Sequence, residues 1–129
     1  MSQTRRRILC LEDDNDSCAL LAIILGAENY EVVTAHTIEE ASRLIKSESF
    51  DLLIVDVILA DGNGLNFCRE VRARGCQTPI LVHSGASEKA DIDAAIEAGA
   101  NDYLIKPYGW TSLIEKAREI LPETYNGIQ

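Results

Sequence analysis

Five short apolar runs, near residues 7–11, 31–35, 52–56, 80–84 and 102–105, divide the chain, and a helical pattern fills every gap between them. The runs are too short for buried helices. Acids and turn formers bound them, so they read as strands covered on both faces, the signature of a parallel sheet. Asp16 or Asn15 is placed to cap a first helix whose apolar positions Ala19, Leu20, Ile23 and Ile24 recur at helical spacing, and the stretch Gly26 to Tyr30 ends it. Thr37 with Glu40 has the form of a capping box for a second helix carrying Ala41, Leu44 and Ile45. Gly64 opens a third with Leu65, Cys68 and Val71 inward, stopped at Gly75 and Pro79. Ser87 caps a fourth with Ile92, Ala95 and Ile96 against the sheet and Gly99 as a left-handed terminator. The fifth runs from about Trp110 to Leu121, before Pro122. Strand and helix in strict alternation imply right-handed crossovers and a doubly wound α/β sandwich.

In such a sheet ligands bind outside the carboxyl ends of the strands, where strand order reverses. Three of the runs end there in residues that carry chemistry: Glu12-Asp13, Asp56 and Lys106. An aspartate becomes a nucleophile for phosphoryl groups when a neighbour neutralises the incoming oxygens, and Asp56, bare after four apolar residues, is the candidate. Crowded carboxylates raise one another's pKa unless a cation compensates them. Mg²⁺ suits a few carboxylate oxygens together with water and phosphate, which is the inventory of Glu12, Asp13 and Asp56. Phosphoryl transfer needs positioning and charge more than proton chemistry, and Lys106 with Ser84 supplies an ammonium and a hydroxyl. Taken singly, Asp56 could cap a helix, Lys106 could be a surface charge and Ser84 a turn former. Their arrival at one sheet edge favours the functional reading.

At 129 residues the chain has room for one domain: a lead-in over 1–6, the domain over 7–122 and a short tail over 123–129, with no linker, repeat or separate output domain expected. A composition 47% hydrophobic and 26% charged fits a globular protein and excludes a disordered one. No apolar stretch approaches a membrane span and no signal-peptide core follows the early arginines, so a cytoplasmic location is expected. A net charge of -9 argues against nucleic-acid binding, with Arg5-Arg6-Arg7 read as a solvated lead-in. Cys10, Cys18, Cys68 and Cys76 lack metal-ligand spacing and are expected to be reduced and mostly buried.

Five segments in this order, Ile8 to Asp14, Leu53 to Asp56, Asp61-Gly62-Asn63-Gly64, Val82-His83-Ser84-Gly85-Ala86 and Gly99 to Tyr108, resemble the receiver domain of bacterial two-component response regulators, the flavodoxin-like CheY family, over nearly everything from Arg7 to Leu121. The resemblance implies strand order 2-1-3-4-5 with five helices, and a regulator phosphorylated on Asp56 by a histidine kinase or a histidine phosphotransfer protein. It implies Mg²⁺, or Mn²⁺, on Asp13, Asp56 and the Ile58 backbone carbonyl, with Glu12 acting mainly through water. Lys106 would pair with the phosphoryl oxygens, and Pro107 would follow a cis peptide. Ser84 would move toward the phosphoryl group, carrying its loop, and Tyr103 would turn inward.

The readout face implied is the fourth helix, fifth strand and fifth helix, toward a downstream target or an output domain on another chain, with homodimerisation through that face open. Tyr108 and Trp110 begin the fifth helix and cover the core or contact a partner. His83 is expected to be a packed or partly exposed strand residue. Ala60 stands where the family often has proline, and neither Ile58 nor Ala86, at positions that influence hydrolysis, can orient water. A haloacid-dehalogenase-type phosphatase would need an acid where Ile58 stands. A flavodoxin-type electron carrier would have its phosphate repelled by Glu12-Asp13-Asp14. A receiver fold used as a phosphorylation-independent interaction module is the remaining alternative.

Overall fold

A computed structural model describes residues 5–122. The first four residues and the expected tail lie outside the described residues. Strands β1 (Arg7–Leu11), β2 (Glu31–Ala35), β3 (Leu52–Asp56), β6 (Ile80–Ser84) and β7 (Asp102–Ile105) form one parallel sheet in the order β2-β1-β3-β6-β7. A two-residue hairpin, β4 (Ile58–Leu59) with β5 (Gly62–Asn63), follows β3. Helices α1 (Asn15–Ala27), α2 (Ile38–Ser47), α3 (Gly64–Ala73), α4 (Lys89–Glu97) and α5 (Trp110–Ile120) make the crossovers. The expected doubly wound flavodoxin-like fold, with its five parallel strands and five helices, is the observed one.

Strand alternation divides the core into two layers. Leu9, Leu11, Leu53, Val55, Ile80, Val82 and Tyr103 pack against α2, α3 and α4. Ile8, Cys10, Ile54, Leu81 and Leu104 face the other way, against Leu21 and Leu25 of α1 and Leu113 and Ala117 of α5. This second row continues toward the carboxyl edge with Asp56 and His83, in the last two residues of β3 and β6, and with Glu12 and Lys106, one residue past the ends of β1 and β7. Cross-strand register thus gathers four polar groups from four strands on the α1–α5 face. All four cysteines are free, and three are buried.

Several local expectations need correction. The buried stripe of α1 is Cys18, Leu21 and Leu25, while Leu20 and Ile23 are 54% and 68% exposed. Apolar residues surround this helix, so spacing alone does not single out a face. Its cap is Asp14, whose carboxylate accepts from Ser17 N–H and Oγ–H, both at 2.8 Å, one residue before the candidate Asn15 and two before Asp16. Thr37 Oγ1 accepts from Glu40 N–H at 3.1 Å, but Glu40 returns its bond to His36 N–H at 2.8 Å, not to Thr37. The α3 cap is Asn63, accepting from Leu65 N–H. In α4 the cap is Glu88, with a reciprocal box to Asp91, not Ser87, and Ile96, expected against the sheet, is 46% exposed while Ala95 is buried. Gly99 is left-handed, at φ +117°.

Candidate functional site

Glu12 is 2% and Asp56 7% exposed, so two carboxylates lie almost out of water at adjoining strand ends. Lys106 joins them: its Nζ donates to Asp56 Oδ2 at 2.8 Å and to Glu12 Oε1 at 3.1 Å. Chain connectivity fixes each group. Glu12 N–H donates to Ala35 O, Glu12 Oε2 accepts from Asp14 N–H at 3.1 Å, and Cys18 Sγ donates to Glu12 O at 3.0 Å. Lys106 N–H donates to Ser84 O at 2.8 Å, extending the β6–β7 ladder, and the Lys106–Pro107 peptide is cis. Gly64 packs against Asp56 so closely that a Cβ there would stand 1.9 Å from the Asp56 carbonyl oxygen. Sequence reading treats Gly64 only as a helix opener, whereas its missing side chain sets how α3 meets the end of β3.

Burial pushes the Glu12 carboxyl above its ordinary pKa, and the Asp56 charge adds to the push, against the Asp14 N–H and Lys106. Burial works to lower the Lys106 pKa, but its bonds and charge pairs with Asp56 and Glu12 outweigh that and leave it raised. One ammonium therefore serves two buried carboxylates, and a hard divalent cation fits the surplus of oxygen donors. Asp13 is exposed at the rim, outside the tight group of potential donors, which is Glu12, Asp56 and His83. Ile58 lies on the hairpin with its side chain 78% exposed.

Ser84, Ala86 and Tyr103 form a second group bonded among themselves. Ser84 is 4% exposed and its Oγ accepts from Ala86 N–H at 3.1 Å. The Tyr103 ring is 8% exposed, turned inward, and its hydroxyl donates to Ala86 O at 2.7 Å. Two residues have a larger part here than their sequence reading suggests. His83 is 2% exposed, opposite Asp56 in the β3–β6 register, and its Nδ1 is 2.8 Å from the Tyr108 hydroxyl. Tyr108 is thereby committed to the site, and Trp110, 65% exposed, is left as the surface aromatic at the start of α5. Burial first, then Lys106, lowers the His83 pKa to about 4 despite Asp56, so the ring is neutral at physiological pH. A cleft of about 730 Å³ opens above the group between α1 and α5, with Leu20, Ile24 and Trp110 on its walls and Glu12, His83 and Lys106 on its lining.

Residues 8–118 match the family model described as the response regulator receiver domain. Curated relatives include the response regulator ArlR of Staphylococcus aureus, 34% identical over 115 residues, 89% of this chain and 52% of that protein, so the chain spans about half the length of the relatives it matches. Among solved structures, a two-component response regulator from Clostridium difficile is 32% identical with a TM-score of 0.86, covering 91% of this chain and 96% of the other. A putative response regulator from Chloroflexus aurantiacus is 33% identical, also at 0.86, over 93% of this chain and all of the other.

Proposed function

Because the chain belongs to the response regulator receiver domain family, whose members are phosphoacceptors and not classical enzymes, we propose that residues 7–122 form a receiver unit that takes a phosphoryl group onto Asp56. The observation that supports this most is the Lys106 ammonium 2.8 Å from Asp56 Oδ2 and 3.1 Å from Glu12 Oε1 at the carboxyl edge of the sheet. A carboxylate oxygen of Asp56 attacks phosphorus, the bond from phosphorus to the donor imidazole breaks, and that imidazole leaves with its electron pair. Lys106 moves from carboxylate to phosphoryl oxygen and stabilises the charge that builds there. Glu12, Asp13, Asp56 and the Ile58 carbonyl would hold Mg²⁺, or Mn²⁺, which supplies neutralising charge for the phosphoryl oxygens.

The phosphoryl group brings new acceptors beside Ser84, whose hydroxyl donates to one of them and draws on the loop held by Ala86 and Tyr103. The face of α4, β7 and α5 carries the change. It exposes Ile96 and Ile105, at 46% and 42%, as apolar contacts for a downstream protein, an output domain or a second copy. Phosphate would come from a histidine kinase or a histidine phosphotransfer protein in the cytoplasm. Incubation with acetyl phosphate and Mg²⁺, followed by intact mass, tests the assignment. One phosphoryl group is gained by the wild type and none by Asp56→Asn. No gain in either overturns it in favour of a module that binds partners without phosphorylation, and equal gain overturns it by putting the phosphoacceptor at another residue.

A further inference from the structure

The phosphoryl chemistry leaves His83, and Tyr108 bonded to it, unused. The His83 Nε2 is buried without a hydrogen-bond partner among the described residues and points at the carboxylates, 3.6 Å from Glu12 Oε1. That separation is too long for a hydrogen bond, and a buried polar atom without a partner costs about 1–3 kcal/mol. Such an atom in a fold otherwise well satisfied calls for a physical reason. Its other nitrogen is held by Tyr108 at 2.8 Å. When Nδ1–H donates to the Tyr108 oxygen, the Nε2 lone pair faces two carboxylates, and the Lys106 ammonium that compensates those carboxylates makes no bond to Nε2.

We infer that Glu12, Asp56 and His83 form a three-donor site for a divalent ion that accepts imidazole, Zn²⁺ foremost, and that filling this site excludes phosphoryl uptake at Asp56. One donor atom from each residue lies within 4.8 Å of the others. Bonds of about 2.0–2.1 Å to a tetrahedral ion bring donors to roughly 3.3 Å apart, so the set closes by small side-chain rotations. The fourth position faces the cleft and stays free for water, the pattern of open zinc sites. Tyr108 then does what the partner of a metal-bound histidine does: it fixes the tautomer and the ring plane. The nitrogen donor separates this site from the magnesium set, which is all oxygen, and it favours Zn²⁺, Co²⁺ or Ni²⁺ over Mg²⁺.

Exclusion follows from shared atoms. The Lys106 ammonium is bonded to the same carboxylates that the ion needs, and its side chain, 32% exposed, has a way out toward the cleft. An ion on the three donors displaces that ammonium and ties down the nucleophilic carboxylate. This second half rests on the phosphoacceptor reading, whereas the binding site itself does not.

The test uses the full chain, reduced, at neutral pH, with Zn²⁺ competed against a chromophoric chelator. One tight site per chain is expected, weakened at least about tenfold in His83→Leu and about tenfold in Tyr108→Phe. Affinity unchanged in His83→Leu places the zinc elsewhere, on Cys76 or His36 for example, and overturns the proposal. Nitrogen NMR of the wild type needs no variant: zinc should shift Nε2 of His83 as a ligand and leave Nδ1 protonated, and an unmoved Nε2 overturns it equally. One equivalent of Zn²⁺ should abolish phosphoryl uptake from acetyl phosphate and Mg²⁺, and His83→Leu should lose that sensitivity whatever its rate in Mg²⁺ alone. Uptake that persists with zinc on His83 overturns the exclusion. A wild type that takes up no phosphoryl group without zinc counts against the phosphoacceptor reading alone, because affinity and NMR still decide the metal site.

Discussion

Ile58 and Ala86 stand two residues after Asp56 and two after Ser84, and neither side chain has a polar atom to align a water molecule for attack on a phosphoryl group. Hydrolysis then relies on unassisted solvent, and the phosphorylated state is expected to be long-lived. Intact mass followed over time after acetyl phosphate is removed, with Mg²⁺ present, checks this, and rapid loss refutes it. Lys106→Ala removes the one ammonium bonded to both carboxylates and should slow phosphoryl uptake about 10²-fold, measured by the same assay. Glu12, Asp56 and Lys106 were legible in the sequence because each ends an apolar run, so the parallel sheet carries all three to one edge. The part played by His83 was not. It depends on lying opposite Asp56 across β3 and β6 and on meeting Tyr108, 25 residues away, and neither relation leaves a local pattern.

Helix α2 begins with amide groups that its own residues cannot satisfy, and Asp61, from the turn between β4 and β5, supplies part of the answer. Its carboxylate accepts from Ile38 N–H at 3.0 Å and Glu39 N–H at 3.3 Å. The Ile38 bond, with the Glu39 bond behind it, holds the Asp61 pKa below its ordinary value against slight desolvation. A carboxylate with a depressed folded pKa contributes its stability above its unfolded pKa, near 3.9, and loses it as pH falls through the folded value. Asp61→Ala should therefore lower stability by about 1 kcal/mol at neutral pH, and that gap should close in acid. Urea melts of both proteins at the two pH values decide it, and a gap that persists in acid would show the carboxylate charge to be irrelevant. Gly64→Ala forces a methyl group onto the Asp56 carbonyl and should cost about 1–3 kcal/mol by the same melts. The five sheet strands and the helices were legible to within a residue or two because β runs and helical spacing alternate cleanly, whereas the β4–β5 hairpin was not, since two-residue strands carry no periodic pattern. The α1 face and the caps were not, since apolar groups ring that helix and Asp14, Asn15 and Asp16 are all competent caps.

Chemistry and stability occupy opposite poles of the molecule. The carboxyl ends of the strands hold the charged site, while the amino ends of β6 and β7 are tied to α3 by one guanidinium. Arg72 donates to Gly99 O at 3.1 and 2.9 Å, to Cys76 O at 2.9 Å, to Thr78 O at 2.8 Å and to Asn101 Oδ1 at 3.0 Å. Asn101 Oδ1 also accepts from Ile80 N–H, so the side chain organises the first residue of β6 as well. Gly99 has no substitute beneath it, because a Cβ would stand 2.6 Å from Arg72 Cγ and its φ of +117° is in the left-handed region. A lysine has three donors on a single nitrogen and cannot span carbonyls that a planar fork reaches. Arg72→Lys should then cost at least about 2 kcal/mol, the worth of one or two charge-assisted bonds, in urea or thermal unfolding. Groups this far apart with no shared partner contribute independently. The folded fraction of that variant should accordingly take up phosphoryl groups and zinc as the wild type does. A loss of either at full folding would mean that strain at the amino ends of the strands reaches their carboxyl ends, and the sheet would be a mechanical link between the two poles.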